Sequence, residues 1–333
     1  MQEEIDIIED DILKRYPKVL DTLLYDQTTM QNILWATDNY IHLGYDYHSS
    51  SPIATKLITN SNSKVIMPRV LKNKNLQRSR VKDMAEVYTP SWVCNEQNNS
   101  IDNAWFNKKN VFNTQVTSND GTIFWELNQN KIKFPIGKTW KDYVYNIRLE
   151  IACGEAPYLT SRYDATNGEY IHVKNRIGLL DRKLRIISEN VDNKQEWLDN
   201  AILAYKSIYG YEFHGDSLLL ARESLLYTFI ENYDEKFNDE PSLVYIQEIA
   251  YILSWNIWQM DGLKGVVPNS CSTKMKEETD LFDNSESTLI KCKGCDTNDN
   301  HLHNGIYCMI MDWNNTKENK KGLQQRYIDL IQR

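Results

Sequence analysis

Four of the six cysteines, Cys271, Cys292, Cys295 and Cys308, lie close together toward the C-terminal end of the chain, with His301 and His303 between the last two. The step Cys292-Lys293-Gly294-Cys295 has zinc-knuckle spacing, because thiolates separated by two residues can take adjacent corners of a tetrahedron around one ion. The four cysteines together would complete a structural Zn2+ site. A set with His303 or His301 in place of Cys271 supplies the same number of ligands. Four protein ligands leave no corner for water, so the ion would fold the segment rather than catalyse. Disulfides between these cysteines are not expected in a reducing cytoplasm.

A second constellation combines carboxylates with glycine. In Arg148-Leu149-Glu150-Ile151-Ala152-Cys153-Gly154 a short apolar run ends in a residue that lets the backbone bend sharply, which reads as a strand and a tight turn. In an open α/β sheet the crevice at the carboxyl end of such a strand receives nucleotide-like ligands, and Glu150 and Gly154 would line it. Three further stretches accompany it: Glu86-Val87-Tyr88-Thr89-Pro90 upstream, then Ile208 to Asp216 with Glu212 after an apolar run, then Trp255 to Leu263 with Asp261.

This series, over residues 86 to 265, resembles the S-adenosylmethionine-dependent amino-methyltransferases of bacterial restriction-modification systems in their gamma-type motif order. The resemblance implies an α/β fold with a Rossmann-like methyltransferase core. It also assigns cofactor roles. Tyr88, Thr89 and Pro90 would pack on the methionine end, Glu150 and Gly154 would lie beneath it, Glu212 would hold the ribose hydroxyls and Asp261 the adenine amino group. A carboxylate suits the ribose because charge-assisted hydrogen bonds are about twice as strong as neutral ones. Two departures stand out. The family's first motif, Asp-Pro-x-Cys-Gly-x-Gly, is here Glu-Ile-Ala-Cys-Gly-Glu-Ala, so Ala156 replaces the second glycine, and the Asn/Asp-Pro-Pro-Tyr/Phe motif is missing. Its nearest counterpart is Ile306 to Asn314. An amino-methyltransferase must extrude and stack the base and accept its amino hydrogens; Asp312 would be the acceptor and Trp313 the stacking face.

The implied activity is methyl transfer to a base amino group of double-stranded DNA, with adenine N6 ahead of cytosine N4. The alternative is a non-catalytic S-adenosylmethionine-binding or DNA-binding subunit of a restriction-modification or phage-defence complex, stabilised by zinc. Partners would be DNA and a restriction or specificity subunit, or a second copy of the chain.

The elements that must position these residues are legible in outline. The chain has 333 residues, 41% hydrophobic and 25% charged, with a formal net charge of −8, which argues against polyanion binding by the whole surface. No apolar run reaches the roughly 20 residues of a membrane span, and the acidic start lacks the positive charge of a signal peptide. A cytoplasmic location follows as an expectation. Residues 1 to 15 have the pattern of an amphipathic helix, and Val19 to Tyr25 form a second. Arg69, Lys72, Lys74, Arg78, Arg80 and Lys82 make a basic segment that would grip DNA phosphate or face solvent. Val111 to Leu127 reads as a hairpin about Asp120-Gly121, with Phe124 and Trp125 as core or as base-stacking faces. The charged run Asp181 to Arg185 would be a second DNA contact or a solvated face, and helices are expected over 194–204, after Asp216 and over 243–253. Three regions result: 1–85, helical and basic; 86–265, the cofactor-binding core with insertions; and 266–333, the zinc-binding segment with the degenerate fourth motif. The sheet would be truncated, with missing strands supplied by another chain or dispensed with.

Overall fold

A computed structural model describes residues 5–84, 88–272, 274–279, 285–314 and 322–331; Glu86 and Val87 lie outside them. The chain begins with α1 (Glu9–Arg15), shorter than the expected helix and bearing acids in its first turn and bases in its last, as the helix dipole favours. Next come α2 (Val19–Leu24) and the two-residue strands β1 (Tyr25–Asp26) and β2 (Gln31–Asn32). After α3 (Lys74–Met84) and α4 (Ser91–Phe106), β3 (Asn113–Thr117) and β4 (Ile123–Leu127) form the expected antiparallel hairpin. Gly121 supplies the positive φ of its turn, +87°. A capping box between Thr139 and Asp142 starts α5 (Trp140–Val144).

The centre is a three-stranded parallel sheet of β5 (Arg148–Ile151), β6 (Ile208–Glu212) and β7 (Ile257–Gln259), in that spatial order. Parallel neighbours need a crossover of a dozen or more residues. It is provided by α6 (Leu179–Asn190) and α7 (Lys194–Lys206) before β6, and by α8 (Gly215–Phe237) and α9 (Leu243–Asn256) before β7. The expected apolar stripe of α8, Leu218, Ala221, Leu225 and Phe229, is buried, but so is every other residue from Gly215 to Tyr233. Burial of each large apolar side chain contributes about 1.5–3 kcal/mol. Arg222, fully buried in the middle of this helix, donates to the carbonyls of Ile257 (2.7 Å), Tyr25 (3.0 Å) and Ser254 (3.2 Å), so it ties α8 to β7, to β1 and to the end of α9.

The C-terminal region contains the antiparallel pair β8 (Lys274–Thr279) and β9 (Ser285–Ile290), the short α10 (Lys293–Thr297), and a second pair, β10 (Met309–Asp312) with β11 (Leu323–Arg326). The last pair lies on one face of the parallel sheet, where Tyr209 Oη donates to Met311 O at 2.9 Å. Among the described residues no further strand pairs with the parallel sheet, and the outer strand β5 leaves Leu149 and Ile151 exposed. Over the described residues the architecture is mixed α/β with small open sheets.

Two charged runs differ from expectation. Lys72 and Arg80 do not face DNA: both are buried and pair with Asp216 at 3.1 and 2.8 Å. In the run Asp181 to Arg185, Arg182 and Lys183 are also buried. Arg182 pairs with Asp102 at 2.6 Å, and Lys183 Nζ donates to Asn146 O at 2.6 Å. Ionic groups removed from water require such partners. No helix of the described residues is long and apolar enough to cross a membrane.

Candidate functional site

The strongest chemical cluster is Cys271, Cys292, Cys295 and His303, whose ligand atoms all lie within 4.8 Å of one another. Cys271 Sγ is 3.2 Å from Cys292 Sγ and 3.5 Å from Cys295 Sγ. His303 Nδ1 is 3.5 Å from both Cys271 and Cys292 and 3.7 Å from Cys295. A tetrahedral zinc with ordinary bond lengths has S···S edges of about 3.8 Å and S···N edges of about 3.5 Å. The arrangement is a Cys3His group able to coordinate a metal.

Its fourth member corrects the sequence-based ligand set. Cys308 is fully buried and directs its thiol to Gln259 O at 3.3 Å, and His303 takes its place while Cys271 is kept. His301 is not in the cluster. Cys292 sits in the N-cap position of α10, and Asn304 N–H donates to its sulfur at 3.3 Å. Burial acts to raise the Cys292 thiol, but backbone donors from Cys295 and Asn304, with Cys271 and His303 alongside, bring it down to about 5. Gly294 is required by contact: a Cβ there would lie 2.6 Å from His303 N and 2.7 Å from its Nδ1.

A second assembly lies at the carboxyl ends of the three parallel strands. Glu212 closes β6, and its Oε2 accepts from Gly154 N–H at 3.0 Å, linking the turns that follow β5 and β6. Its Oε1 accepts from His214 N–H at 3.1 Å. His214 Nδ1 also lies 3.4 Å from Oε1, so Oε2 is the oxygen that keeps a lone pair for a further donor. Gly154 has φ +53° and open space where a side chain would begin, so a ligand can approach the backbone. Ala156 has φ +61° and is fully buried, so the backbone keeps the left-handed conformation despite the missing glycine, at about 1–2 kcal/mol of strain.

The Tyr-Thr-Pro segment is held against this turn. Tyr88 Oη donates to Glu155 Oε1 at 3.2 Å, while the same oxygen accepts from Arg69 N–H at 2.9 Å and Glu155 Oε2 from Tyr163 Oη at 2.7 Å. Arg69 also lies over the Tyr88 ring at 4.6 Å. Thr89 O accepts from Cys94 Sγ at 3.8 Å, and Pro90 occupies the N-cap position of α4. Glu155 is thus the hub, a residue sequence reasoning passed over because a glutamate after a glycine carries no sign of burial. Asp261 lies just past β7, beyond Met260, whose N–H donates to Glu212 O at 3.0 Å. Its Oδ1 accepts from Leu263 N–H at 3.1 Å, and its Oδ2 pairs with Lys264 Nζ at 3.3 Å.

Glu150 behaves differently. Both its oxygens are taken by the chain itself, from Tyr158 N–H at 3.2 Å and Leu159 N–H at 3.1 Å, and burial pushes its carboxyl up to about 8 against those two donors. It braces the loop after β5.

Asp312 and Trp313 are not brought to this assembly. β10 runs opposite to β7: Cys308 meets Gln259 at the carboxyl end, whereas Trp313 Nε1 donates to Asn256 Oδ1 at 2.8 Å just before β7 begins. Asn256 Nδ2 in turn donates to Ile208 O at 2.9 Å at the start of β6. Both residues therefore stand at the amino end of the sheet, a strand length from Gly154 and Glu212. The two sites are structurally contiguous. Val266 bridges to both Asp261 and Tyr307, Val267 N–H donates to Ile306 O at 2.8 Å, and Gly305 packs against Ser270 and Cys271, so the metal-ligand segment braces the loop that carries Asp261. No protein-family model, curated protein or solved structure matches the chain.

Proposed function

We propose that the chain is a cofactor-binding subunit of a DNA-modifying complex, stabilised by structural zinc and lacking methyl-transfer activity by itself. The observation that carries this reading is the convergence of Tyr88, Gly154, Glu212 and Asp261 at the carboxyl ends of adjacent parallel strands, with open space over Gly154. S-adenosylmethionine would supply an activated methyl group there. The remaining lone pair of Glu212 Oε2 suits a ribose hydroxyl, the Gly154 turn admits close approach, and Asp261, which Lys264 accompanies at 3.3 Å, would accept from an amino group. A target base would need its acceptor and stacking groups at the same end of the sheet. Asp312 and Trp313 lie at the other, which favours a non-catalytic subunit over a complete enzyme.

Equilibrium binding of labelled S-adenosylmethionine to the purified, zinc-replete protein tests this. Glu212→Ala is expected to weaken binding by about 10- to 100-fold, the loss of one charge-assisted contact, and Asp312→Ala to leave it unchanged. Absence of binding to the unmodified protein would remove the reading, and methyl transfer to DNA by the chain alone would return it to the enzymes.

A further inference from the structure

The basic segment expected to meet phosphate loses Lys72 and Arg80 to Asp216, but the fold assembles another. Lys108 follows α4, Lys131 and Lys133 follow β4, and all three line one pocket of about 440 Å3 with Asn128 and Asn130. The lysines are exposed, and no acidic side chain contributes to the wall. Two acids near the loop each have a cation partner of their own, although Asp192 also feels the charge of Lys131. Glu189 accepts from Ile132 N–H at 2.8 Å and pairs with Arg185 at 2.8 Å, while Asp192 pairs with Lys236 at 2.8 Å.

The backbone under the lysines is fixed. Ile132 is 3% exposed, so the alternation Lys131-Ile132-Lys133 anchors the middle residue and leaves the flanking ammonium stems outside. Asn128 donates from its backbone to Phe112 O and from Nδ2 to Val111 O, both at 2.9 Å, and its Oδ1 accepts from Asn130 N–H at 3.0 Å. Across the pocket, Asn107 ends α4 with φ +50°, and Lys108 N–H donates to Asn103 O at 3.2 Å. Three exposed lysines from two segments around one pocket, in a chain of net charge −8, are a local excess of positive charge. Lysine is a point-charge binder of phosphate.

We propose that Lys108, Lys131 and Lys133 form a binding pocket for a phosphate group, carried by a nucleic-acid backbone or free in solution. The site requires neither the sheet crevice nor the metal, so it stands apart from cofactor binding. Phosphate contacts here would hold a nucleic acid in place without reading its sequence.

The test compares the 333-residue protein with its Lys108→Ala, Lys131→Ala, Lys133→Ala triple variant, the melting temperature serving as folding control because exposed positions tolerate such changes. Fluorescence anisotropy with a labelled duplex of about 20 base pairs is run from about 50 to 200 mM salt, since each lost phosphate contact lowers the slope of log K against log salt by about 0.9. The triple variant is expected to bind at least tenfold more weakly at low salt, with the slope smaller by about 2–3, and the triple arginine variant to bind as wild type does. Calorimetry with inorganic phosphate and pyrophosphate forms the second arm. Binding there by wild type but not by the alanine variant, with duplex affinity unchanged, assigns the pocket to free phosphate. Equal binding of all ligands by both proteins, or no binding by wild type, overturns the proposal.

Discussion

Asp216, in the first turn of α8, has no exposed surface and receives Lys72 Nζ at 3.1 Å, Arg80 Nη1 at 2.8 Å and Tyr40 Oη at 2.7 Å. Burial acts to raise its carboxyl, but the two cations hold it well below the usual carboxylate range. A depressed folded-state value stabilises the protein above the unfolded value of about 3.9, and that contribution is lost as pH falls through the folded value. Asp216→Asn is therefore expected to cost about 3–5 kcal/mol, because two buried cations lose their counter-ion; urea unfolding at neutral pH measures it, and a loss below about 1 kcal/mol would mean that water reaches the pair. Glu150 has the opposite sign. With its carboxyl raised to about 8, its contribution is complete below its ordinary value near 4.5 and is lost as pH rises through about 8. Glu150→Gln should flatten the decline in stability across that window, whatever constant penalty it adds; an unchanged slope would show that Glu150 is ionised in the folded protein.

The metal-ligand segment shows how far element-level reading goes. Cys292 and Cys295 were legible because their spacing is local, and Cys271 followed from proximity in sequence. The fourth ligand was not, since Cys308 and His303 are separated only by where the chain runs after Gly305. Gly305 packs closely on Cys271 with His303 Nδ1 3.5 Å from the same sulfur, and just before β10 Cys308 is buried against Gln259. About one equivalent of zinc is expected in reduced protein. Gly294→Ala, which places a methyl against His303, should lose most of it by elemental analysis, whereas Cys308→Ser should retain it. Chelation should lower hydrogen-exchange protection in the loop from Asp261 to Ser270 more than in β5 and β6, and uniform loss would mean that the ion supports the whole fold instead. The Lys108–Lys131–Lys133 pocket was illegible for a related reason: Lys108 lies 23 residues before Lys131, on the far side of a hairpin, while the run containing Arg80 looked basic only because its partner Asp216 comes 136 residues later.

At the scale of the molecule, the three parallel strands could be read because each couples an apolar run to a glycine or an acid, and because helical periods lie between β5 and β6 and between β6 and β7. The direction of β10 could not, as its apolar residues fit a sheet whichever way they run, and that direction separates Trp313 from Glu212. The same long-range economy governs the N-terminal segment. Gln259, at the end of β7, accepts from Leu34 N–H at 2.7 Å and donates to Leu34 O at 2.8 Å, so one side chain clamps a peptide group 225 residues away, beside the fully buried Ile33 and Trp35. During synthesis at about 5–20 residues per second, that peptide waits roughly 11–45 s for its partner. For that interval Ile33 and Trp35 lack the strand beside which they are finally buried, so this segment can complete its packing only after β7 has been made.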